Sequence, residues 1–152
     1  MQIEFISHSE KETKELAFHL SLLLFKGSII ALNGPLGAGK TQFAKGIAKA
    51  LNVKEEISSP TFNILKCYYS GTLPFYHIDA YRLEDAINTN IGLEEVIEGD
   101  GICVIEWAKF LSLDIDYLNV DIEIISENER KIILSSNSLK YEEILKSLRE
   151  QL

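Results

Sequence analysis

The sequence predicts an α/β fold, and three observations predict it. A buried-strand run at residues 28–33 passes through a glycine-rich stretch, 34–39, into a helical pattern over 40–51. Further short apolar runs have strand character, and amphipathic helical patterns lie near both ends.

Taken in order, residues 3–6 read as a short strand, and Ser9 followed by Glu12 has capping-box spacing ahead of a helix with Leu16, Leu20, Leu23 and Leu24 as apolar positions. The helix over 40–51 carries Phe43, Ile47, Ala50 and Leu51 at helical spacing. A turn-like segment, 54–60, leads into 62–69; beyond Ser70 and Gly71 comes 73–79, and the two runs look like a hairpin. Residues 83–98 mix polar and apolar positions around Gly92 and predict one or two short surface helices. Residues 101–106 form a compact apolar strand ending in a carboxylate, with 107–111 as a helical turn. Residues 117–125 place Leu118, Val120, Ile122 and Ile124 on one face at a period of two, and with 131–135 they predict a second hairpin. Ser138 is the candidate cap of a final helix whose apolar side is Leu139, Ile144, Leu145 and Leu148. No repeat or linker divides the chain, so a single domain over 1–152 is expected.

Composition bounds the function. A hydrophobic fraction of 46% and a charged fraction of 25% match an ordinary globular domain. The apolar stretches 22–25 and 29–32 fall far short of the roughly 20 residues of a membrane-spanning helix. The first residues show no secretory signal, so the expected location is the cytoplasm. Cys67 and Cys103, without metal-ligand spacing, are expected as reduced core residues. Fifteen Lys and Arg against 23 Asp and Glu give a net charge of −8, the wrong sign for a chain that grips nucleic acid by itself. The excess acid lies in the second half, where residues 77–152 hold 7 basic and 17 acidic side chains.

Gly34-Pro35-Leu36-Gly37-Ala38-Gly39-Lys40-Thr41 matches GxxxxGK[ST], a phosphate-binding loop, with the strand before it and the helix after it that the motif requires. Glycines let the backbone turn its N–H groups into one cavity, and the helix N-terminus adds the positive end of a dipole. Lys40 is placed to reach the β- and γ-phosphates of a nucleotide, and Thr41 to set its hydroxyl on Mg2+. Hydrolysis further needs an acid at the end of a neighbouring strand, because Mg2+ takes oxygen ligands. Glu106, closing 102–105, and Asp79, closing 73–78, both fit. Glu106 is assigned to metal contact, direct or through an intervening water, and Asp79 to metal contact or to orienting the attacking water; each also reads as a partly buried acid capping the next helix. Thr61 lies where a mobile loop reaches the γ-phosphate, and equally reads as plain loop. His77 reads more readily as a structural histidine, and Arg82 as a charge donor to phosphate or an ion-pair partner. Trp107 is assigned to packing beside the nucleotide.

Four segments together resemble the bacterial TsaE (YjeE) ATPases of tRNA threonylcarbamoyladenosine biosynthesis: Leu36-Gly-Ala-Gly-Lys-Thr41, Ser59-Pro-Thr-Phe62, His77-Ile-Asp-Ala-Tyr-Arg-Leu83 and Ile105-Glu-Trp107, in that order. The family's third motif reads Asp-Leu-Tyr-Arg, and Ala80 here stands in the Leu place as a packing change. The resemblance implies a P-loop NTPase three-layer sandwich with a mixed, mainly parallel sheet flanked by helices. It implies ATP and Mg2+ as cofactors, and slow hydrolysis activated by the partners TsaB and TsaD, with tRNA met only through that complex. Carried over, Lys40 and Thr41 hold phosphate and metal, Thr61 sits in a switch-like loop, and Asp79, Glu106 and Trp107 belong to the active site.

Two other readings compete. A small-molecule kinase surrounds two phosphate-bearing substrates with several arginines, and this chain has three: Arg82, Arg130 and Arg149. A nucleotide-gated assembly module with incidental hydrolysis needs the same Lys40, Thr41 and Glu106 as an ATPase does.

Overall fold

Strands Ile29–Asn33 (β2) and Ile102–Glu106 (β5) are apolar along almost their whole length, as parallel strands covered on both faces must be, and they pair in parallel at the sheet centre with Ala31 opposite Ile105. We describe residues 1–60, 64–81, 93–108 and 115–152 of a computed structural model. On one side of β2, Leu118–Ile124 (β6) runs parallel to it and turns into an antiparallel hairpin with Arg130–Ser135 (β7), which pairs with Gln2–Ser7 (β1). On the other side, Phe75–Asp79 (β4) runs parallel to β5 and is antiparallel to Leu65–Tyr68 (β3). The seven-stranded order is β1-β7-β6-β2-β5-β4-β3. Both expected hairpins are present.

The sheet is mixed, and five of its seven strands, β1, β2, β4, β5 and β6, run in one direction. Three of its six pairings are parallel and three antiparallel, because each flank of the parallel centre is finished by a hairpin. Burial follows: β6 and β7 alternate buried and half-buried residues, whereas β5 is buried throughout.

Helices Glu10–Ser21 (α1), Lys40–Ala50 (α2) and Leu139–Gln151 (α4) share one core with Ile30, Leu32, Val104 and Val120 from one face of the sheet. The short helix Leu93–Ile97 (α3) packs with Ile29, Ala31, Cys103 and Ile105 on the other. The helices expected within 83–98 are thus described only in α3, and residues 83–92 lie outside the described residues, as do 109–111 of the expected turn.

The α1 start follows its spacing. Ser9 Oγ accepts from Glu12 N at 3.1 Å, and the Glu12 carboxylate reaches back to the N–H of His8 at 2.6 Å, one residue beyond the usual partner. At α4 the expectation fails in two places. Ser138 occupies the N-cap position without a side-chain capping bond, and Leu139, in the first turn, is 80% exposed. Tyr141, Ile144, Leu145 and Leu148 form the buried side instead. Cys103 is buried as expected, but Cys67 is exposed, because β3 is the edge strand. Among the described residues no helix is long and apolar enough to cross a membrane.

The contact between α1 and α2 rests on one glycine. A β-carbon at Gly46 of α2 would fall on the Lys14 carbonyl oxygen of α1 and stand 2.7 Å from Ala17 Cβ. Helix propensity favours Ala over Gly by about 1 kcal/mol, whereas forcing atoms into a packed contact costs about 1–3 kcal/mol and more against backbone. We therefore expect Gly46→Ala to lower stability by about 2 kcal/mol, a fall in Tm of roughly 4–8 °C by calorimetry. A raised Tm would show that the two helices separate freely.

Candidate functional site

Residues 34–41 connect β2 to α2 at the carboxyl end of the parallel strands, where an open α/β sheet places its ligands. The helix N-cap is Gly39, with φ at +107°, a conformation that strains any L residue. Gly39 has no side chain to cap α2, so the first N–H groups of the helix are left for an anion.

Three side chains converge beyond the loop. Lys40 Nζ lies 3.4 Å from Glu106 Oε1, and it stands over the Trp107 ring at 5.3 Å from the centroid. Tyr81 packs against the same indole at 5.0 Å between ring centroids. Together with Leu32, Asn33, Gly34 and Pro35, Lys40 and Trp107 line a cavity of about 300 Å3. Its wall is fixed from below by Asn33, whose amide donates to Asn119 Oδ1 at 2.9 Å and to Asp121 Oδ1 at 3.1 Å. Trp107 follows the last residue of β5 with φ at +59°, a left-handed conformation that costs a non-glycine residue about 1–3 kcal/mol and here turns the chain at the mouth of the cavity.

Glu106 is only 5% exposed. Burial pushes its carboxyl up, but the hydrogen bond and charge of His77, and then the Lys40 ammonium, outweigh burial and hold it below the usual carboxylate range. It is therefore ionised at neutral pH. Asp79 stands opposite Glu106 in the β4–β5 register, so the two acids share the end of one ladder. Asp79 Oδ1 accepts the N–H of Tyr81 at 3.0 Å, a local turn that holds the acid half-buried.

The expected site residues are thus brought together unevenly. Lys40, Glu106 and Trp107 form one cluster, Asp79 adjoins it through the strand register, and Thr41 follows Lys40 in the first turn of α2. Leu36 is 97% exposed at the tip of the glycine-rich loop. Ala38 is buried and offers only main chain. Thr61 and Arg82 lie outside the described residues.

Arg130 was not read from the sequence as part of this site. Its guanidinium donates from Nε to Ala38 O (3.1 Å) and from Nη2 to Gly37 O (3.3 Å) in the glycine-rich loop. Nη1 donates to Ser126 O, Glu127 O and Glu129 O at 2.7, 3.2 and 3.0 Å, the turn between β6 and β7. One side chain thereby ties the loop to a hairpin some 90 residues away. A second cavity, of about 150 Å3, lies on this side, lined by Ser9, Thr13, Gln42, Asn128 and Arg130 among others. We expect Arg130→Ala to weaken nucleotide binding roughly tenfold by calorimetric titration, with Arg130→Lys failing to restore it, because an ammonium lacks the planar fork that spans both carbonyl groups. Unchanged affinity in both variants would show that the loop holds its shape alone.

The residues present suit a nucleotide and a hard cation. A helix N-terminus and Lys40 serve an anion, while Thr41, Glu106 and Asp79 are oxygen donors. Among the described residues no group of three or more His, Cys, Asp or Glu is arranged to hold a metal alone.

The sequence family described as threonylcarbamoyl adenosine biosynthesis protein TsaE matches residues 7–132. A tRNA threonylcarbamoyladenosine biosynthesis protein TsaE from Bacillus subtilis is 36% identical over 149 residues, covering 97% of this chain and 94% of that protein. The protein of the same name from Treponema pallidum is 38% identical over 135 residues, covering 86% and 98%. In structure, the crystal structure of Bacillus subtilis YdiB is similar with a TM-score of 0.86 and 31% identity, covering 99% of this chain and 96% of that one. Family match, relatives and geometry agree over nearly the full length, and the chain belongs to the TsaE family.

Proposed function

We propose that this chain is a P-loop NTPase: a Mg2+-dependent ATP-binding and hydrolysing subunit that serves, with TsaB and TsaD, in threonylcarbamoylation of the tRNA adenosine beside the anticodon. The observation that carries the reading is the Lys40–Glu106 pair at the end of a strand, glycine-rich loop and helix, with both side chains lining or adjoining one cavity. Lys40 and the N–H groups at the start of α2 hold the phosphates. Thr41 and Glu106 hold the metal, with Asp79 beside them to receive or orient a water. The metal, when bound, neutralises charge that develops on the transferring phosphoryl group.

Glu106 does two jobs in this reading. Ionised at neutral pH, it offers a charged oxygen to the cation; paired with Lys40, it keeps the ammonium aimed along the cavity rather than out to water. Trp107 and Tyr81 cover one side and exclude solvent around the ammonium. The second cavity, which shares Gly37, Ala38 and Gly39 of the glycine-rich loop, offers hydrogen-bonding groups from Ser9, Thr13, Gln42 and Asn128.

The kinase reading loses support from Arg130, because that guanidinium already serves five main-chain carbonyl groups and is not held for a second substrate. The deciding experiment is ATP turnover of this chain titrated with TsaB and TsaD. We expect slow Mg2+-dependent hydrolysis alone and at least tenfold acceleration in the complex. Binding of ATP with no turnover in either state would replace the ATPase reading with that of an assembly module.

A further inference from the structure

We infer that His77 is the positioning residue that sets the direction of the Glu106 carboxylate, an inference that rests on Glu106 acting in metal use as proposed above. His77 is in the middle of β4, fully buried, opposite Val104 of β5, and Glu106 lies two residues farther along the same ladder. Register partners in a parallel pair share a face, so His77 and Glu106 are diagonal neighbours within reach of long side chains.

The contact between them is short. His77 Nε2 is 2.6 Å from Glu106 Oε2. A carboxylate only accepts, so the shared hydrogen belongs to Nε2. The other ring nitrogen, Nδ1, is buried without a hydrogen-bond partner among the described residues, and the ring lies against Phe75 at 6.2 Å between centroids. A histidine retained for packing is a poor choice there, because burying a polar ring atom without a partner costs free energy that Leu or Phe would not. Among the described residues, its one side-chain hydrogen bond is the grip on Oε2. That grip uses one carboxylate oxygen and leaves the other, Oε1, facing Lys40 at 3.4 Å and the cavity beyond.

Three rotatable bonds separate the Glu106 carboxylate from its backbone, and the strand alone fixes none of them. Lys40, itself a flexible chain, engages phosphate in the proposed function and is then no longer devoted to Glu106. His77 is rigid, buried and away from the nucleotide loop, so it holds the carboxylate in the same direction whichever partner Oε1 meets.

Three substitutions separate this role from packing. In Gln the amide nitrogen lies as many bonds from the backbone as His Nε2, in Asn as many as Nδ1, and Leu fills space without a donor. With the full chain and its partner proteins, we expect His77→Leu and His77→Asn to lower kcat at least tenfold and to raise the Mg2+ concentration for half-maximal turnover severalfold. ATP affinity measured without metal should stay within about twofold, and His77→Gln should restore kcat to within about threefold of wild type. A second measurement is independent of turnover: the 13C resonance of the Glu106 carboxylate in the nucleotide-free chain, assigned by its loss in Glu106→Gln. It should move in the Leu and Asn variants and return toward its original place in the Gln variant. An unmoved resonance, or a Leu variant with wild-type kcat and Mg2+ requirement, overturns the inference. If wild type shows no Mg2+-dependent turnover, the proposed function has failed, and the resonance alone decides whether His77 sets the carboxylate.

Discussion

Replacing Lys40 by Ala should weaken ATP binding at least 100-fold while leaving a folded chain. A charge-assisted hydrogen bond contributes about 1.5–3 kcal/mol, and a phosphate-binding ammonium makes more than one, so a loss of about 3 kcal/mol is the expected scale. Each tenfold change in affinity corresponds to about 1.4 kcal/mol. The fold tolerates the change because Glu106 keeps the His77 hydrogen bond after losing the ammonium, and Lys40 is at the first position of α2, with its side chain lining a cavity rather than the core. Binding of labelled ATP and a thermal melt check the two halves. Unchanged affinity would remove the glycine-rich loop from nucleotide binding altogether.

Glu106→Gln should have the largest effect on turnover, a fall of at least 100-fold, equivalent to about 2.7 kcal/mol in activation free energy. Gln keeps the volume and can still accept from His77 through its carbonyl oxygen, so packing is conserved. What disappears is the negative oxygen offered to a cation, and a neutral amide is a poorer ligand for a hard metal. The amide also faces the Lys40 ammonium where a carboxylate stood, so a drop of a few degrees in Tm is expected. Turnover and melting therefore separate the two roles that the sequence allows for this acid. A variant that hydrolyses ATP normally but melts far earlier would make Glu106 a structural acid only.

The parts of the fold that local pattern determines are the parts the sequence makes legible. Both hairpins, the apolar β2 and β5 and the helix after the glycine-rich loop follow from periodicity and turn residues, each within a few neighbours along the chain. Position in the sheet is a different matter. Cys67 and Cys103 sit in similar runs, yet one strand is at the edge and the other near the centre, so only Cys103 is buried. Leu139 looks like part of an apolar stripe, but the buried side of α4 begins at Tyr141, whose hydroxyl accepts from Ile29 N at 2.8 Å, and Leu139 is left exposed.

The site divides in the same way. Lys40 and Glu106 are readable because motif and strand end announce them, whereas their meeting depends on the β2–β5 register, with Leu32 opposite Glu106. Arg130 carries no signal in the sequence, since carbonyl oxygens of its own turn hold it and the link to the site runs only through Gly37 and Ala38, some 90 residues away. His77 resembles any buried histidine in the sequence, and it acquires a role only when β4 lies beside β5.

Trp107 gives the molecule a property of a different kind. It is the one tryptophan of the chain, so ultraviolet emission from indole originates at a single point, and that point is under the Lys40 ammonium at the cavity mouth. A positive charge 5.3 Å from the ring imposes a local field on its excited state. Any event that draws Lys40 away changes the field and hence the colour and yield of the emitted light. The chain thus contains its own label, and occupancy of the cavity can be followed in real time on the unmodified protein.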